Sequence, residues 1–115
     1  MTPATLTLPL RVVSEANAHE HWRVRQRRAK AQRRATCLAW LAAGLPMKRK
    51  PVEVRLTRLA PRKLDSDNAV GALKHVRDAV AECCGFDDRD PACTWVYSQE
   101  RAKEYGVRVA VVWSS

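Results

Sequence analysis

Two acidic clusters hold the side chains best suited to chemistry. Asp65-Ser66-Asp67-Asn68 and Asp87-Asp88-Arg89-Asp90 flank a single stretch that reads as a helix. In an extended segment residues i and i+2 point to the same side, so Asp65 and Asp67 can converge. Along the helix Asp67, Gly71, Lys74 and Asp78 fall at i, i+4, i+7 and i+11 and share one face, which Gly71 leaves open near the carboxylates. Clustered carboxylates repel one another, and a bound divalent cation relieves the repulsion. Mg²⁺ takes oxygen ligands, keeps several waters and uses one or two carboxylates plus substrate phosphate, and Mn²⁺ is its usual substitute. Such an ion stabilises charge on a phosphodiester and helps water to act as the nucleophile. A neighbouring lysine orients that water or offsets the developing negative charge. The same residues also read more plainly. Asp65 and Asp67 are then solvated turn residues, with Asp67 only capping the helix. Asp87, Asp88 and Asp90 form a polar loop, and Lys74–Asp78 is a surface pair of a few tenths of a kcal/mol.

The charge balance favours a polyanionic partner. The chain of 115 residues carries 21 Lys plus Arg against 12 Asp plus Glu, a net charge of +9. Between residues 21 and 52 stand ten basic residues (Arg23, Arg25, Arg27, Arg28, Lys30, Arg33, Arg34, Lys48, Arg49 and Lys50) and no acidic one. The remaining 11 basic residues face all 12 acids, so one third of the chain holds the whole surplus. A field concentrated in this way attracts nucleic acid, whose phosphates it holds without reading sequence. Lys63 extends the same track. The alternative is a solvated charged face. Trp22, at the start of the basic stretch, stacks on an exposed base or serves as a hydrophobic staple.

The remaining chemistry-bearing residues say less. Cys37, Cys83, Cys84 and Cys93 form no C-x-x-C pair and fit no zinc pattern with His19, His21 or His75, so they read as reduced, small apolar residues. The three histidines read as surface residues. No apolar run approaches the ~18 residues of a membrane span. Residues 1–10 lack the pattern of a secretory signal, so a cytoplasmic protein is expected.

The elements that must position these groups follow from patterning. Composition is 46% hydrophobic and 29% charged, ordinary for one globular domain over residues 1–115. Thr5–Leu10 alternates as a strand that Pro9 confines to an edge or ends. Ala16–Ala43 reads as a long helix with a weak point near Thr36. Its first half is basic nearly all round, its second half is apolar, and Gly44 and Pro46 stop it. Val52–Leu59 alternates again. Asn68–Cys84 is a second helix with Val70, Leu73, Val76, Val80 and Cys83 or Cys84 as its apolar stripe, closed by Gly85. Thr94–Gln99 and Val107–Trp113 complete the strands. The order β-α-β-α-β-β predicts an α/β (α+β) domain: a small mixed sheet of about four strands packed with two main helices.

Taken together, Lys63-Leu64-Asp65-Ser66-Asp67-Asn68, Lys74-x-x-x-Asp78 and Gly85-Phe86-Asp87-Asp88, with the short strand Thr7-Leu8-Pro9, resemble the RusA family of Holliday-junction resolvases, common in bacterial prophages. The resemblance covers the central third of the chain well and the termini in outline. It implies that Asp65, Asp67 and Asp88 are the metal-associated catalytic carboxylates and that Lys74 is the catalytic lysine. One departure is that the run from Asn68 to Lys74 is about three residues longer than in the family, close to one helical turn. The implied protein is a Mg²⁺-dependent homodimeric endonuclease that resolves four-way junctions in DNA recombination and repair, working at the nucleoid. A two-fold dimer presents two equivalent sites to a junction that needs two related nicks. Val107, Val109, Val111 and Trp113 serve either that dimer contact or, as the favoured reading, the chain's own core. The competing class is a basic nucleic-acid-binding protein with no chemistry.

Overall fold

The computed structural model describes residues 3–14 and 21–114. Its elements are β1 (Ala4–Leu8), α1 (Trp22–Ala42), β2 (Glu53–Ala60), α2 (Ser66–Ala72), α3 (Lys74–Cys84), β3 (Thr94–Arg101) and β4 (Gly106–Val112). The strands form one sheet in the order β1-β4-β2-β3. β1 and β2 run antiparallel to β4, with Leu6 opposite Val109 and Leu56 opposite that same valine. β2 and β3 run parallel, with Val54 opposite Trp95 and Leu56 opposite Tyr97. Parallel neighbours need a crossover, and α2 and α3 supply it. The domain is therefore the expected small mixed α+β sheet.

Alternation explains which face is covered. Leu6, Leu8, Val54, Leu56, Val107, Val109 and Val111 point to one side of the sheet and are buried against the helices. Val107, Val109 and Val111 are fully buried and Trp113 packs against them, so the β4 apolar residues fill the chain's own core. The helices contribute Trp40, Leu73, Val76, Val80, Cys83 and Cys84 to the same core. All four cysteines are free thiols. Burial raises the Cys83 thiol above its ordinary value and pushes Cys84 up to about 12.

Several boundaries differ from the sequence reading. β1 ends at Leu8, before Pro9, and is an edge strand. α1 begins at Trp22, and the earlier part of the predicted helix, with His19, lies outside the described residues. α1 runs unbroken through Thr36, whose hydroxyl donates to the Gln32 carbonyl at 2.8 Å inside the helix. The predicted single helix 68–84 starts earlier, at Ser66, and is interrupted at Leu73, whose φ of −91° and ψ of 1° leave the helical region. The Leu73 N–H is shared between the Ala69 and Val70 carbonyls at 3.2 Å each. Leu73 is fully buried in the core, and Val70, expected in the apolar stripe, is exposed. Asp65, not Asp67, occupies the N-cap position, and its side chain makes no capping bond.

α3 closes as expected at Gly85, which adopts φ 69° in the left-handed region that glycine favours. A Cβ there would stand 3.2 Å from the Lys48 Cα, so the residue also permits the 48–50 segment to pass close.

Candidate active site

The Asp65-x-Asp67 segment is held from the neighbouring edge strand. Trp95, Tyr97 and Gln99 occupy alternate positions of β3 and so share the face toward α2 and α3. The Gln99 side chain grips the backbone just before Asp65. Its Oε1 accepts from the Leu64 N–H at 2.9 Å, and its Nε2 donates to the Leu64 carbonyl at 2.8 Å. The amide thus pairs with Leu64 as a further strand would. Arg58 braces the same loop: Nη1 donates to Gln99 Oε1 at 3.2 Å and to the Arg62 carbonyl at 2.8 Å. Arg58 is buried, which lowers its pKa from the ordinary value. Asp65 and Asp67 follow this brace as exposed side chains, and neither belongs to an ion pair among the described residues.

The second acidic cluster divides its labour. Asp87 accepts from the Arg89 backbone N–H at 2.9 Å and from its guanidinium at 3.1 and 3.2 Å, which holds the Asp87 carboxyl down at about 2. Asp90 accepts from the Ala92 N–H at 2.9 Å and pairs with Lys50 at 3.1 Å, and both lower its pKa. These two acids tie the loop down. Asp88 instead lines a groove with Val70, Gly71, Lys74, Arg77, Asp78 and Tyr97. Asp88, from the loop after α3, therefore meets Lys74 and Asp78 of α3 in one place, whereas Asp65, Ser66, Asp67 and Asn68 do not line it. Gly71 keeps it open, since a Cβ there would meet nothing within 4 Å.

Arg77 organises this groove. Its Nε stands 3.0 Å from Asp88 Oδ2, a close pair in which the N–H is not aligned for a hydrogen bond. Nη2 donates to the Asp88 carbonyl at 2.9 Å, and Nη1 donates to the Tyr97 hydroxyl. The guanidinium also lies over Trp95, 4.8 Å from the ring centroid. Burial raises the Tyr97 pKa against the pull of Arg77. A second groove, lined by Lys63, Leu64, Ser66, Ala69, Ser98 and Gln99, shares Val70 and Tyr97 with the first.

The donor chemistry can be set against a hard cation. Asp65 at the N-cap of α2 and Asp67 in its first turn, rather than on one extended segment as the spacing predicted, offer carboxylate oxygens, and Mg²⁺ commonly takes one or two carboxylates with water and phosphate completing its shell. That chemistry fits this pair. Asp88 stands with Arg77, and among the described residues no three His, Cys, Asp or Glu side chains converge closely enough to hold a metal ion. In this arrangement the three carboxylates are not gathered into one cage.

The basic residues fall into separate groups. The first ten residues of α1 bury no side chain; Gln32, Thr36 and Trp40 are its buried residues. Arg23, Arg25, Arg27, Lys30, Arg33 and Arg34 are exposed and Arg28 is half-buried. His21 caps the helix, its Nδ1 accepting from the Arg23 N–H at 3.2 Å. This arm meets the site at Lys74, which lines both the Asp88 groove and a groove with Arg25, Gln26, Ala29 and His75. Lys63 lies beside Ser66. Lys48, Arg49 and Lys50 lie elsewhere. The Lys48 N–H donates to the Cys83 carbonyl, and Arg49 Nη2 donates to the Ser114 carbonyl, each at 2.8 Å. Lys48 therefore sits by Cys83, about 14 Å along α3 from Lys74 at 1.5 Å per residue, while Lys50 pairs with Asp90 in the second acidic cluster.

Arg77, Tyr97 and Gln99 were not among the residues singled out by spacing. The signal that could have found them is the period-two run Trp95-x-Tyr97-x-Gln99, which puts two polar tips on a strand face that otherwise points at helices. The chain matches no protein-family model, and no curated protein matches it.

Proposed function

We propose that the protein is a Mg²⁺-dependent, structure-selective DNA endonuclease that resolves four-way junctions by phosphodiester hydrolysis, similar to the RusA family. The observation that carries this reading is the position of Lys74: one lysine borders both the groove holding Asp88 and Asp78 and the groove lined by the cationic helix α1. A polyanion held on α1 is thereby brought to the groove of Asp88 and Asp78. Arg23, Arg25, Arg27, Arg28, Lys30, Arg33 and Arg34 bind phosphates, with Lys63 beside the acidic turn, Lys50 paired with Asp90 in the second acidic cluster, and Lys48 and Arg49 further away. Asp65 and Asp67 would hold the cation, and Asp88, which stands with Arg77 in this arrangement, would join them only by leaving that pairing. When bound, Mg²⁺ or Mn²⁺ supplies neutralisation of phosphate charge. Lys74 donates to the phosphate oxygens as negative charge builds. Gln99 and Arg58 keep the Asp65 turn in register with that groove. A homodimer working at the nucleoid places two such sites on a two-fold symmetric junction.

Cleavage of a synthetic four-way junction with Mg²⁺ tests this. Asp65→Asn and Asp67→Asn should each remove cutting while junction affinity, measured without divalent ions, stays within about twofold. If both variants cut like the wild type, the assignment is wrong. The pairing of Asp88 with Arg77 favours a second reading, a DNA-binding protein of the same fold without catalysis. Under that reading the wild type binds junctions and leaves them intact with Mg²⁺ or Mn²⁺.

A further inference from the structure

Trp22 is out of place as a structural residue. Its side chain is 56% exposed, whereas Trp40 is fully buried and Trp95 and Trp113 pack against the core. Trp22 lines a groove on α1 with Arg23, Gln26, Arg27 and Lys30. The Arg23 guanidinium lies 5.4 Å from its ring centroid. The groove therefore combines one exposed indole, three cations and one amide, with no acidic residue among the described residues that line it. Aromatic faces ringed by cations suit one class of ligand: unstacked nucleobases on a phosphate backbone. A base inside an uninterrupted duplex is sandwiched by its neighbours and offers no free face. A base at a branch point or in a single strand does.

The groove is also continuous with the candidate active site. Gln26 borders both it and the groove of Arg25, Ala29, Lys74 and His75, and Lys74 borders that groove and the one holding Asp88. From Ala29, beside Lys74, to Trp22 is seven residues, about 10 Å along a helix. At roughly 3.4 Å per nucleotide step, that spans about three nucleotides.

We propose that Trp22 is a stacking platform for an unpaired DNA base about three nucleotides from the phosphate at Lys74, and that it gives the protein its preference for branched over continuous DNA. This rests on the nucleic-acid reading of α1 but not on cleavage. The test uses the full-length chain carrying Asp65→Asn, so that no substrate is cut. Affinities for a four-way junction, a single-stranded oligonucleotide and a continuous duplex of equal length are compared at one salt concentration. Trp22→Ala should weaken junction and single-strand binding by about 5- to 150-fold, the range for loss of one stacked base. Duplex binding should change less than twofold, and Trp22→Phe should restore most of the loss. 2-Aminopurine placed in turn at nucleotides near the branch should be quenched most strongly about three steps from the scissile phosphate, and Trp22→Ala should remove that quenching. Equal losses on duplex and branched DNA, or no loss on either, overturn the proposal. Circular dichroism identifies a variant that fails to fold, in which case Trp22→Phe and the quenching pattern decide. Failure of the nuclease reading shows separately, as absence of cutting by the wild-type chain with quenching intact.

Discussion

Replacing Gln99 with methionine isolates the clamp on the acidic turn, because it keeps the side-chain length and removes every polar atom. Three contacts are lost: two neutral hydrogen bonds to Leu64, at 2.9 and 2.8 Å, and one from the Arg58 guanidinium at 3.2 Å. Neutral bonds contribute about 1 kcal/mol each and a charged one about 1.5–3 kcal/mol. Arg58 keeps its bond to the Arg62 carbonyl, which limits the charged loss. The expected cost is about 2–4 kcal/mol, a large share of the ~5–15 kcal/mol that stabilises a domain, yet small enough to leave it folded. At roughly 4 °C per kcal/mol the melting temperature falls by about 8–16 °C. Freed from β3, the Leu64–Asp65 segment can shift by an ångström, which commonly costs about 10²-fold in turnover. Junction binding depends on α1 and should hold. The assays are thermal unfolding, and single-turnover cleavage beside an affinity measurement in the same buffer. A Gln99→Met variant that melts like the wild type refutes the clamp. One that melts early but cuts at the wild-type rate refutes the link from clamp to catalysis.

Two further outcomes follow. The Asp87 carboxyl, held at about 2 by Arg89, should titrate there by NMR and return toward the ordinary value of about 4 in Arg89→Ala. Because the folded pKa is depressed, the Asp87 contribution to stability is complete above about pH 4 and is lost as the pH falls through about 2, a dependence Arg89→Ala should reduce to the part that the residue-89 backbone N–H supplies. Log affinity for duplex DNA should fall with log salt at a slope near −0.9 per phosphate contacted, and Arg27→Ala with Arg33→Ala should flatten it by about 1.8; an unchanged slope would show that these two arginines of α1 do not touch the backbone.

Patterning alone exposed the strands because alternation of Leu6 and Leu8, Val54 and Leu56, and Val107, Val109 and Val111 reports burial on one side of a sheet. It did not expose the kink at Leu73. Leucine is a strong helix former, and no glycine or proline stands at that position. Leu73 stays on the buried face with Val76 and Val80, and it is Val70, one turn earlier, that the interruption leaves exposed. The acids were visible as clusters, but their separate tasks were not. Asp87 and Asp90 are distinguished from Asp88 by Arg89, Lys50 and the turn between them, and only folded geometry reveals those partners. Gln99 was hidden for a similar reason: a glutamine on an edge strand reads as solvent-facing until the loop it grips lies against it.

The strand order has a consequence for how the chain acquires its shape. β4, the last strand in the chain, lies between β1 and β2. During synthesis β1 cannot pair with β4 until residues 107–111 have emerged, since Ala4 meets Val111. The parallel β2–β3 pair, with its crossover, can assemble earlier. Folding then ends with insertion of β4 into a waiting slot, a step dominated by contacts distant in sequence and therefore slow. Until that step the facing edges of β1 and β2 stay open, so nascent or truncated chains lacking β4 are the species most prone to aggregate.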